Sequence, residues 1–273
     1  HTPDLDPVSY LGMERVAPHT ESLPAPLRLD CALTYTLPPG VDADDAPTKR
    51  VTRELTTDEW RAVLDKAWAA GVPHIIFTGG EPTLRPDLPD LIAHAEKNGQ
   101  VAGLLTDGLK LADKAYLDTL LQTGLDHLLF VLQPENEQSW QALSMVMPED
   151  IFTTVHLTLT PARAAALPAT LRRLSDLGVT SVSFTAPPDM RAALETARDL
   201  AAEHRLSLVW DLPVPYSASN PVALETAEDA IPSGAGKSWL YIEPDGDVLP
   251  SQGMPGQVLG NILTDAFTDI YKN

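Results

Sequence analysis

The sequence has 273 residues, of which 44% are hydrophobic, and it carries 38 acidic and 19 basic side chains, a formal net charge of −19. A chain of this length and apolar content can bury a large core, as globular proteins do. The negative charge repels phosphate backbones and anionic lipid headgroups, which excludes nucleic acid and membrane surfaces as favoured partners. A basic peptide or protein would be attracted, although such a charge is more often only a solvated surface that aids solubility.

Membrane and disulfide signals are both missing from the sequence. No apolar run approaches the roughly 18 residues of a membrane helix, and no segment has the charged, apolar and small-residue order of a signal peptide. We therefore expect a cytoplasmic protein. The chain has one cysteine, Cys31, which rules out an internal disulfide.

Helix signals begin after a proline-containing segment, residues 1–25, that we interpret as an N-terminal extension. The first helix is predicted to start at a capping box formed by Thr56 and Glu59. Its apolar positions fall on one face, at Trp60, Val63, Leu64, Ala67 and Trp68. Glycines that end this helix and three later ones stand at Gly71, Gly99, Gly124 and Gly178.

Apolar runs between these helices predict seven strands, over residues 27–33, 75–77, 101–105, 128–132, 152–160, 179–184 and 206–210. Strands that alternate with helices at this interval require a parallel sheet with right-handed crossovers, so the fold class is α/β. We place this main domain at residues 26–211. Residues 212–273 are predicted to contain a linker, a β-hairpin with an Asp245-Gly246 turn, and a short helix.

The most informative motif is Thr78-Gly79-Gly80-Glu81-Pro82, which directly follows the apolar strand that ends at Phe77. By itself, Gly-Gly-Glu-Pro is most often only a turn. After a strand and a helix, it resembles the glycine-rich motif of radical S-adenosylmethionine (SAM) enzymes. The resemblance implies a partial (βα)6 barrel, similar to a TIM barrel, in which this motif holds the methionine part of SAM beside a [4Fe–4S] cluster.

The same resemblance exposes a departure from the family, because its cluster is held by cysteines spaced C-x3-C-x2-C after the first strand. Aligned on Leu33-Thr34-Tyr35, the three ligand positions are Leu37, Val41 and Asp44. If the spacing is anchored on Cys31 instead, the other two positions are Tyr35 and Pro38. Neither alignment supplies three thiolates, so we expect a degenerate member without a [4Fe–4S] cluster.

The C-terminal segment, residues 233–251, resembles the auxiliary-cluster hairpin (SPASM or twitch) of radical SAM enzymes that modify peptides or build peptide-derived cofactors. Ser233 and Ser251 stand where that group usually has cysteines. Serine is a poor ligand for a soft metal, because its hydroxyl stays protonated where a thiol would ionise. The resemblance as a whole spans about residues 26–272.

The residues that the resemblance implies for SAM binding lie at the ends of the second, third and fourth strands. Thr106-Asp107-Gly108 resembles a Thr-Asn-Gly turn near the SAM ribose, and Gln133 replaces a serine whose hydroxyl helps to bind SAM. The candidate SAM-binding residues are Gly79, Gly80, Glu81, Pro82, Thr106, Asp107, Gly108 and Gln133. We predict no catalytic residue and no metal ligand among them.

Three other patterns could indicate binding sites, but each also has a simpler structural explanation. Asp42, Asp44 and Asp45 could bind a hard divalent ion, although acidic loops are usually just solvated. Gly236-Lys237-Ser238 echoes a phosphate loop but lacks the upstream glycine and the following helix. The strand histidines lack paired spacing and are expected to be core or edge residues rather than ligands, namely His74, His127 and His156.

Three functions remain open at this point. The first is a pseudoenzyme that binds or scaffolds a peptide or a catalytic radical SAM partner protein. The second is a protein that binds SAM or another nucleotide without radical chemistry. The third is an active radical SAM enzyme of peptide or cofactor maturation whose cluster ligands come from elsewhere or were removed. SAM is the one possible cofactor, and the fold alone does not decide among the three.

Overall fold

The structure is a computed structural model that describes residues 23–38, 51–209, 234–252 and 256–272. Val41, Asp44 and Ser233 lie outside the described residues, as do most of the predicted N-terminal extension and linker. Within the described ranges, none of the helices has the length and apolar character that crossing a bilayer requires.

The described residues form ten strands and seven α-helices. The strands are β1 Arg28–Thr34, β2 His74–Gly79, β3 Val101–Thr106, β4 His127–Val131, β5 Phe152–Thr158, β6 Ser181–Thr185, β7 Ser207–Leu208, β8 Trp239–Ile242, β9 Asp247–Leu249 and β10 Gly260–Asn261. The helices are α1 Thr57–Ala69, α2 Leu88–Asn98, α3 Lys114–Leu121, α4 Glu137–Val146, α5 Pro161–Asp176, α6 Arg191–Glu203 and α7 Phe267–Ile270. Short 3₁₀ turns follow β2 at Pro82–Leu84, β3 at Leu109–Ala112 and β6 at Pro188–Met190.

All ten strands join one sheet, in the order β10-β9-β8-β1-β2-β3-β4-β5-β6-β7. Strands β1 to β7 are parallel and neighbour one another in chain order, and a helix separates each from the next. This is the arrangement of a partial βα barrel. The predicted α/β fold with six βα units is confirmed.

Successive side chains of each strand point to opposite faces of the sheet, and the two faces differ in chemistry. One face packs under the helices and is apolar, for example at Leu29, Cys31 and Phe77. On the other face an apolar patch on β2 to β4 consists of Ile76, Leu105, Leu129 and Val131. Strands β5 and β6 instead carry polar residues there, with hydrogen bonds between Thr154 and Ser181, His156 and Ser183, and His156 and Thr185.

Helix α1 starts as predicted. The Thr56 hydroxyl accepts a hydrogen bond from the Glu59 N–H, and the Glu59 carboxylate accepts one from the Thr56 N–H, so the capping box is confirmed. Four residues of the predicted apolar face are buried, namely Trp60, Val63, Leu64 and Ala67, whereas Trp68 is not. Trp68 is 46% exposed, and its ring covers Gly99 at the end of α2 instead of entering the core.

The C-terminal hairpin is part of the main sheet. β8 and β9 pair antiparallel around the predicted turn, in which Gly246 has a φ of 92° that favours glycine. β8 also pairs in parallel with β1, with Arg28 opposite Trp239 and Cys31 opposite Ile242. The hairpin therefore covers the edge of β1 that β2 leaves free.

Candidate functional site

The carboxyl ends of β2 and β3 bring the two predicted binding turns together. Phe77 of β2 and Leu104 of β3 are register partners, so Gly79-Gly80-Glu81-Pro82 and Thr106-Asp107-Gly108 leave the sheet side by side. Functional sites of βα barrels lie at this end of the strands. We refer to these two turns, the loop after β1 and Gln133 as the candidate site.

Glu81 lies at the centre of the candidate site and is 3% exposed. One carboxylate oxygen accepts hydrogen bonds from the Thr83 N–H at 2.9 Å, the Thr83 hydroxyl at 2.6 Å and the Thr106 hydroxyl at 2.7 Å. The other accepts from the Asp107 N–H at 2.8 Å. A buried carboxylate needs such donors to offset its lost hydration. In this structure Glu81 thus joins the β2 turn to the β3 turn, and its contact with SAM stays a prediction.

The two glycines of the motif are packed against the loop that follows β1. The Gly80 N–H donates to the Thr34 carbonyl at 2.7 Å, and the Glu81 N–H donates to the Thr36 carbonyl at 2.9 Å. A Cβ on Gly79 would lie 2.2 Å from the Thr34 oxygen, and one on Gly80 would lie 2.3 Å from the Thr36 oxygen. The glycines are therefore required by the fold itself, because only they allow this approach of two backbones.

Polar side chains from three directions fix the loop after β1. Glu54 accepts hydrogen bonds from the Thr34 hydroxyl at 2.6 Å and the Tyr35 N–H at 3.1 Å. Arg85, which follows the glycine motif, donates to the Leu33 carbonyl at 3.0 Å and pairs with Asp87 through both of its carboxylate oxygens. The loop is thus held in place by the surrounding protein.

The third side of this loop is the C-terminal hairpin. The Tyr35 hydroxyl lies 3.2 Å from the Tyr241 hydroxyl and donates to the Glu243 carboxylate at 3.2 Å. Both hairpin residues are buried. The hairpin therefore contributes side chains to the candidate site, in addition to extending the sheet.

Asp107 is the most electrostatically perturbed group of the candidate site. Burial raises the pKa of its carboxyl well above the usual range, and the neighbouring Glu81 charge raises it further, while a hydrogen bond from the Leu109 N–H opposes the change. Asparagine, the residue that the resemblance implies here, would carry no charge. The exchange therefore gives this chain an ionisable group that the family pattern lacks.

Gln133 lies just beyond β4, and its side chain is half-buried. Its amide oxygen accepts a hydrogen bond from the Asn136 side chain at 3.1 Å, and its backbone N–H donates to the Ser139 hydroxyl at 3.1 Å. These contacts shape the start of α4. Sequence reasoning did not find these contacts, because they depend on side-chain direction.

The thiol of Cys31 is not available to the candidate site. Cys31 lies within β1, is fully buried under the helices and pairs with Phe77 in the sheet register. Burial raises the pKa of the thiol, and the Asp30 charge adds to this, which disfavours the thiolate that binds metals. The alternative alignment on Cys31 is thus excluded, because this residue lies inside a strand rather than in the loop.

The donor set of the loop does not fit an iron–sulfur cluster. Leu37, the first predicted ligand position, lies half-buried after β1 and carries no donor atom, and the other two positions, outside the described residues, are valine and aspartate. Ser251 is buried, and its hydroxyl donates to the Gln252 carbonyl at 3.2 Å. Among the described residues, neither Leu37 nor Ser251 offers a thiolate, and the one cysteine of the sequence, Cys31, is buried in β1.

The structure shows a contact between two of the strand histidines that the sequence spacing did not indicate. The Nε2 atoms of His74 and His127 lie 3.3 Å apart, so these two side chains form a pair. Sequence spacing could not reveal this contact, because the two residues lie on β2 and β4, which β3 separates in the sheet. The possible phosphate loop at Lys237 is followed by strand β8 rather than a helix, and the predicted acidic ion site of residues 42–45 lies outside the described residues.

The parallel sheet and its crossover helices define a partial βα barrel. The turns after β2 and β3 place the candidate site at the carboxyl ends of the strands. A family model described as the Radical SAM superfamily matches residues 31–138, which include both turns. Over these residues the chain is similar to the Radical SAM superfamily.

Two relatives illustrate the likeness in sequence. A PqqA peptide cyclase of Methylobacterium sp. (strain 4-46) is 26% identical over 291 residues, which cover 93% of this chain and 75% of that protein. A PqqA peptide cyclase of Streptomyces rochei is 37% identical over 123 residues, which cover 44% of this chain and 33% of that protein. The second alignment thus spans only about a third of the relative.

Solved structures agree with the fold. Streptococcus suis SuiB bound to S-adenosylmethionine gives a TM-score of 0.70 at 16% identity, covering 92% of this chain and 67% of SuiB. Native anSMEcpe with bound AdoMet gives a TM-score of 0.70 at 14% identity, covering 91% of this chain and 81% of that protein. At such low identity, the likeness concerns the fold alone.

Proposed function

We propose that this chain is a radical SAM-type barrel that acts by binding a peptide and does not hold a [4Fe–4S] cluster of its own. The observation that carries the proposal is the burial of Cys31, the one cysteine of the chain, under the helices. Reductive cleavage of SAM is chemistry that the cluster supplies when bound, and among the described residues no thiolate faces the candidate site.

The candidate site nevertheless keeps an ordered frame. Its loop is fixed by Glu54, Arg85 and the hairpin, and Glu81 joins the two turns. A surface organised in this way supports binding, since little ordering entropy is lost when a partner arrives.

Peptides are the ligand class that the relatives suggest. Two similar proteins are named PqqA peptide cyclases, and SuiB has been solved bound to the precursor peptide SuiA. A catalytic radical SAM protein that acts on the same peptide would be a second kind of partner. The net charge of −19 would favour basic segments of either.

The cluster part of the proposal is tested by restoring the ligands. The wild-type chain and a Leu37→Cys, Val41→Cys, Asp44→Cys variant are incubated anaerobically with ferrous iron and sulfide, and bound iron and sulfide are assayed. We expect substoichiometric iron in the wild type and a gain of iron, sulfide and visible absorption in the variant. Stoichiometric iron in the wild type together with reductive cleavage of SAM would overturn the proposal.

The peptide part is tested by titrating the wild-type chain with a synthetic PqqA peptide, and saturable binding at micromolar concentration is expected, a free energy of about −8 kcal/mol. A chain with Tyr35→Phe, which removes the hydroxyl contacts to the hairpin, should bind more weakly if the candidate site is used. Absence of saturable binding by the wild type would contradict the peptide assignment.

A second candidate function, binding of SAM without radical chemistry, is favoured by the placement of the two motif turns side by side. Without iron to chelate the amino and carboxylate groups of SAM, its affinity should be weak. Gln133→Ala is the suitable probe, because the Gln133 side chain accepts only one hydrogen bond, from Asn136, among the described contacts.

Calorimetric titration with SAM decides this second candidate. Saturable binding that Gln133→Ala weakens, and that the exposed control Gln141→Ala does not, would support a SAM-binding protein. Heat changes no larger than those of dilution would reject it. Gly80→Val would be a poor probe, since its side chain would meet the Thr36 backbone and disturb the loop.

A further inference from the structure

A pair of histidines lies at the end of the barrel opposite the candidate site. His74 is the first residue of β2 and His127 is the first residue of β4, and both are half-buried. Their Nε2 atoms are 3.3 Å apart, and their rings meet at an interplanar angle of 62° with centroids 4.9 Å apart. The two rings come from strands that are not neighbours in the sheet.

The residue between them, Gly103 of β3, makes this contact possible. A Cβ on Gly103 would lie 2.2 Å from the His127 Nε2 and 2.7 Å from the Ile76 Cδ1. Its backbone does not have the positive φ that would by itself favour glycine. The glycine is thus needed for space alone. The His127 ring occupies the space beside Gly103, and in this position it contacts His74.

The geometry of the pair matches two ligands of one metal ion. Two imidazole nitrogens bound tetrahedrally to zinc at about 2.0–2.1 Å lie roughly 3.4 Å from each other, close to the separation of the two Nε2 atoms. The ring centroids, 4.9 Å apart, are only slightly farther from each other than the two Nε2 atoms, 3.3 Å apart. The two rings are therefore inclined to each other rather than aligned end to end. This arrangement is compatible with two lone pairs directed at a common ion.

Groups of both signs of charge act on the pair: Arg28 disfavours a positive charge there, and Asp126 favours one. Burial lowers the pKa of His74 to about 4, with smaller contributions from His127 and Arg28, and burial likewise lowers the pKa of His127. The Arg28 guanidinium is paired with Asp30 at 2.7 Å, and the Asp126 carboxylate, which accepts the Ala102 N–H, adds negative charge.

We propose that His74 and His127 form a binding site for a divalent transition-metal ion of the zinc, nickel or copper type, which links β2 to β4 across Gly103. Imidazole is a preferred ligand of these ions. Within the described residues, no third His, Cys, Asp or Glu forms a compact ligand set with the pair, so water or a group of a partner completes the coordination. The bound ion stabilises the folded chain, since the unfolded chain does not hold the rings together.

The test is a titration of the untagged, chelator-treated full chain with Zn²⁺ by calorimetry, with Co²⁺ absorption as a second readout of nitrogen ligation. We expect one ion per chain and a rise in the thermal unfolding midpoint at saturation. His127→Gln should weaken the affinity at least about tenfold, which corresponds to about 1.4 kcal/mol. The matched control is His94→Gln, which changes a half-buried histidine bonded to Asp65.

Gly103→Ala keeps both histidines and changes only their placement. It therefore tests whether metal binding depends on the geometry of the pair. The added Cβ meets the ends of two side chains, not backbone, so the fold is retained while the His127 ring is displaced. Loss of Zn²⁺ binding in this variant, with unchanged circular dichroism, supports the site. Zn²⁺ binding that neither His127→Gln nor Gly103→Ala affects overturns the proposal. So does binding that is lost only in Asp245→Asn, because Asp245 lies with Glu243 and Asp247 in a separate group of carboxylates on the C-terminal hairpin.

Discussion

Two buried carboxyl groups set the electrostatics of the candidate site at the scale of single residues. Glu81 accepts four hydrogen bonds from the protein, whereas Asp107 accepts one from the Leu109 N–H and lies beside the Glu81 charge. Burial and the neighbouring Glu81 charge raise the pKa of Asp107 to about 8, because ionising both groups in a buried position is unfavourable. We therefore expect the stability of the turn after β3 to depend on pH.

Asp107→Asn should remove this sensitivity. A raised pKa in the folded state favours the protonated folded form, so the stability that it provides is present below the ordinary aspartate pKa of about 4 and is lost as pH rises through the raised value. We expect the variant to exceed the wild type by about 1 kcal/mol or more in free energy of unfolding at pH 8, and by less at pH 5.

Urea denaturation of both chains at several pH values between 5 and 8 measures this difference. Asp90→Asn serves as the control, because Asp90 is an exposed aspartate on α2 and should show no growing advantage with pH. An Asp107→Asn chain whose stability follows the same pH dependence as the wild type would show that Asp107 is ionised throughout.

At the scale of elements, the glycine motif acts as the surface on which the loop after β1 rests. The backbone of Gly80 approaches the Thr36 carbonyl so closely that an added Cβ would lie 2.3 Å from its oxygen. Because the obstacle is backbone, and the residues just before it are held by Glu54 and Arg85, it cannot move aside easily. The motif thus has a structural role that does not depend on a bound ligand.

Gly80→Ala should therefore lower the free energy of unfolding by about 2–3 kcal/mol even without SAM. Gly256→Ala is the matched control, since its added Cβ would meet nothing within 4 Å and should change the free energy by less than about 0.5 kcal/mol. Chemical denaturation of the ligand-free chains gives both values. Equal stability of Gly80→Ala and the wild type would mean that the loop moves away at little cost.

The sequence predicted those elements whose signals are local. The capping box at Thr56, the glycine stops and the alternation of strands and helices depend on residues a few positions apart, and they appear in the structure near the expected places. The bonding of Glu81 to Thr106 was not predictable, because it joins residues 25 apart through the strand register. The contact of His74 with His127 was missed for the same reason.

At the scale of the whole molecule, the hairpin and the barrel share one sheet and one core. Leu240 and Ile242 of β8 are fully buried in the same apolar cluster as Leu29 of β1. Tyr35 and Glu243 connect the two parts again beside the candidate site. Sequence analysis placed the hairpin in a separate segment, because a proline-rich stretch precedes it and pattern alone does not show which edge a strand joins.

Leu240→Ala tests whether the hairpin and the barrel unfold together. Removing this buried side chain should cost about 2–5 kcal/mol, whereas Leu259→Ala, at a position that is 39% exposed, should cost less than about 0.5 kcal/mol. Since β8 pairs with β1, we expect hydrogen exchange in native conditions to accelerate for the amides of β1 and β2 as much as for those of β8. Faster exchange confined to β8 and β9 would show that the hairpin opens alone and that the barrel is stable without it.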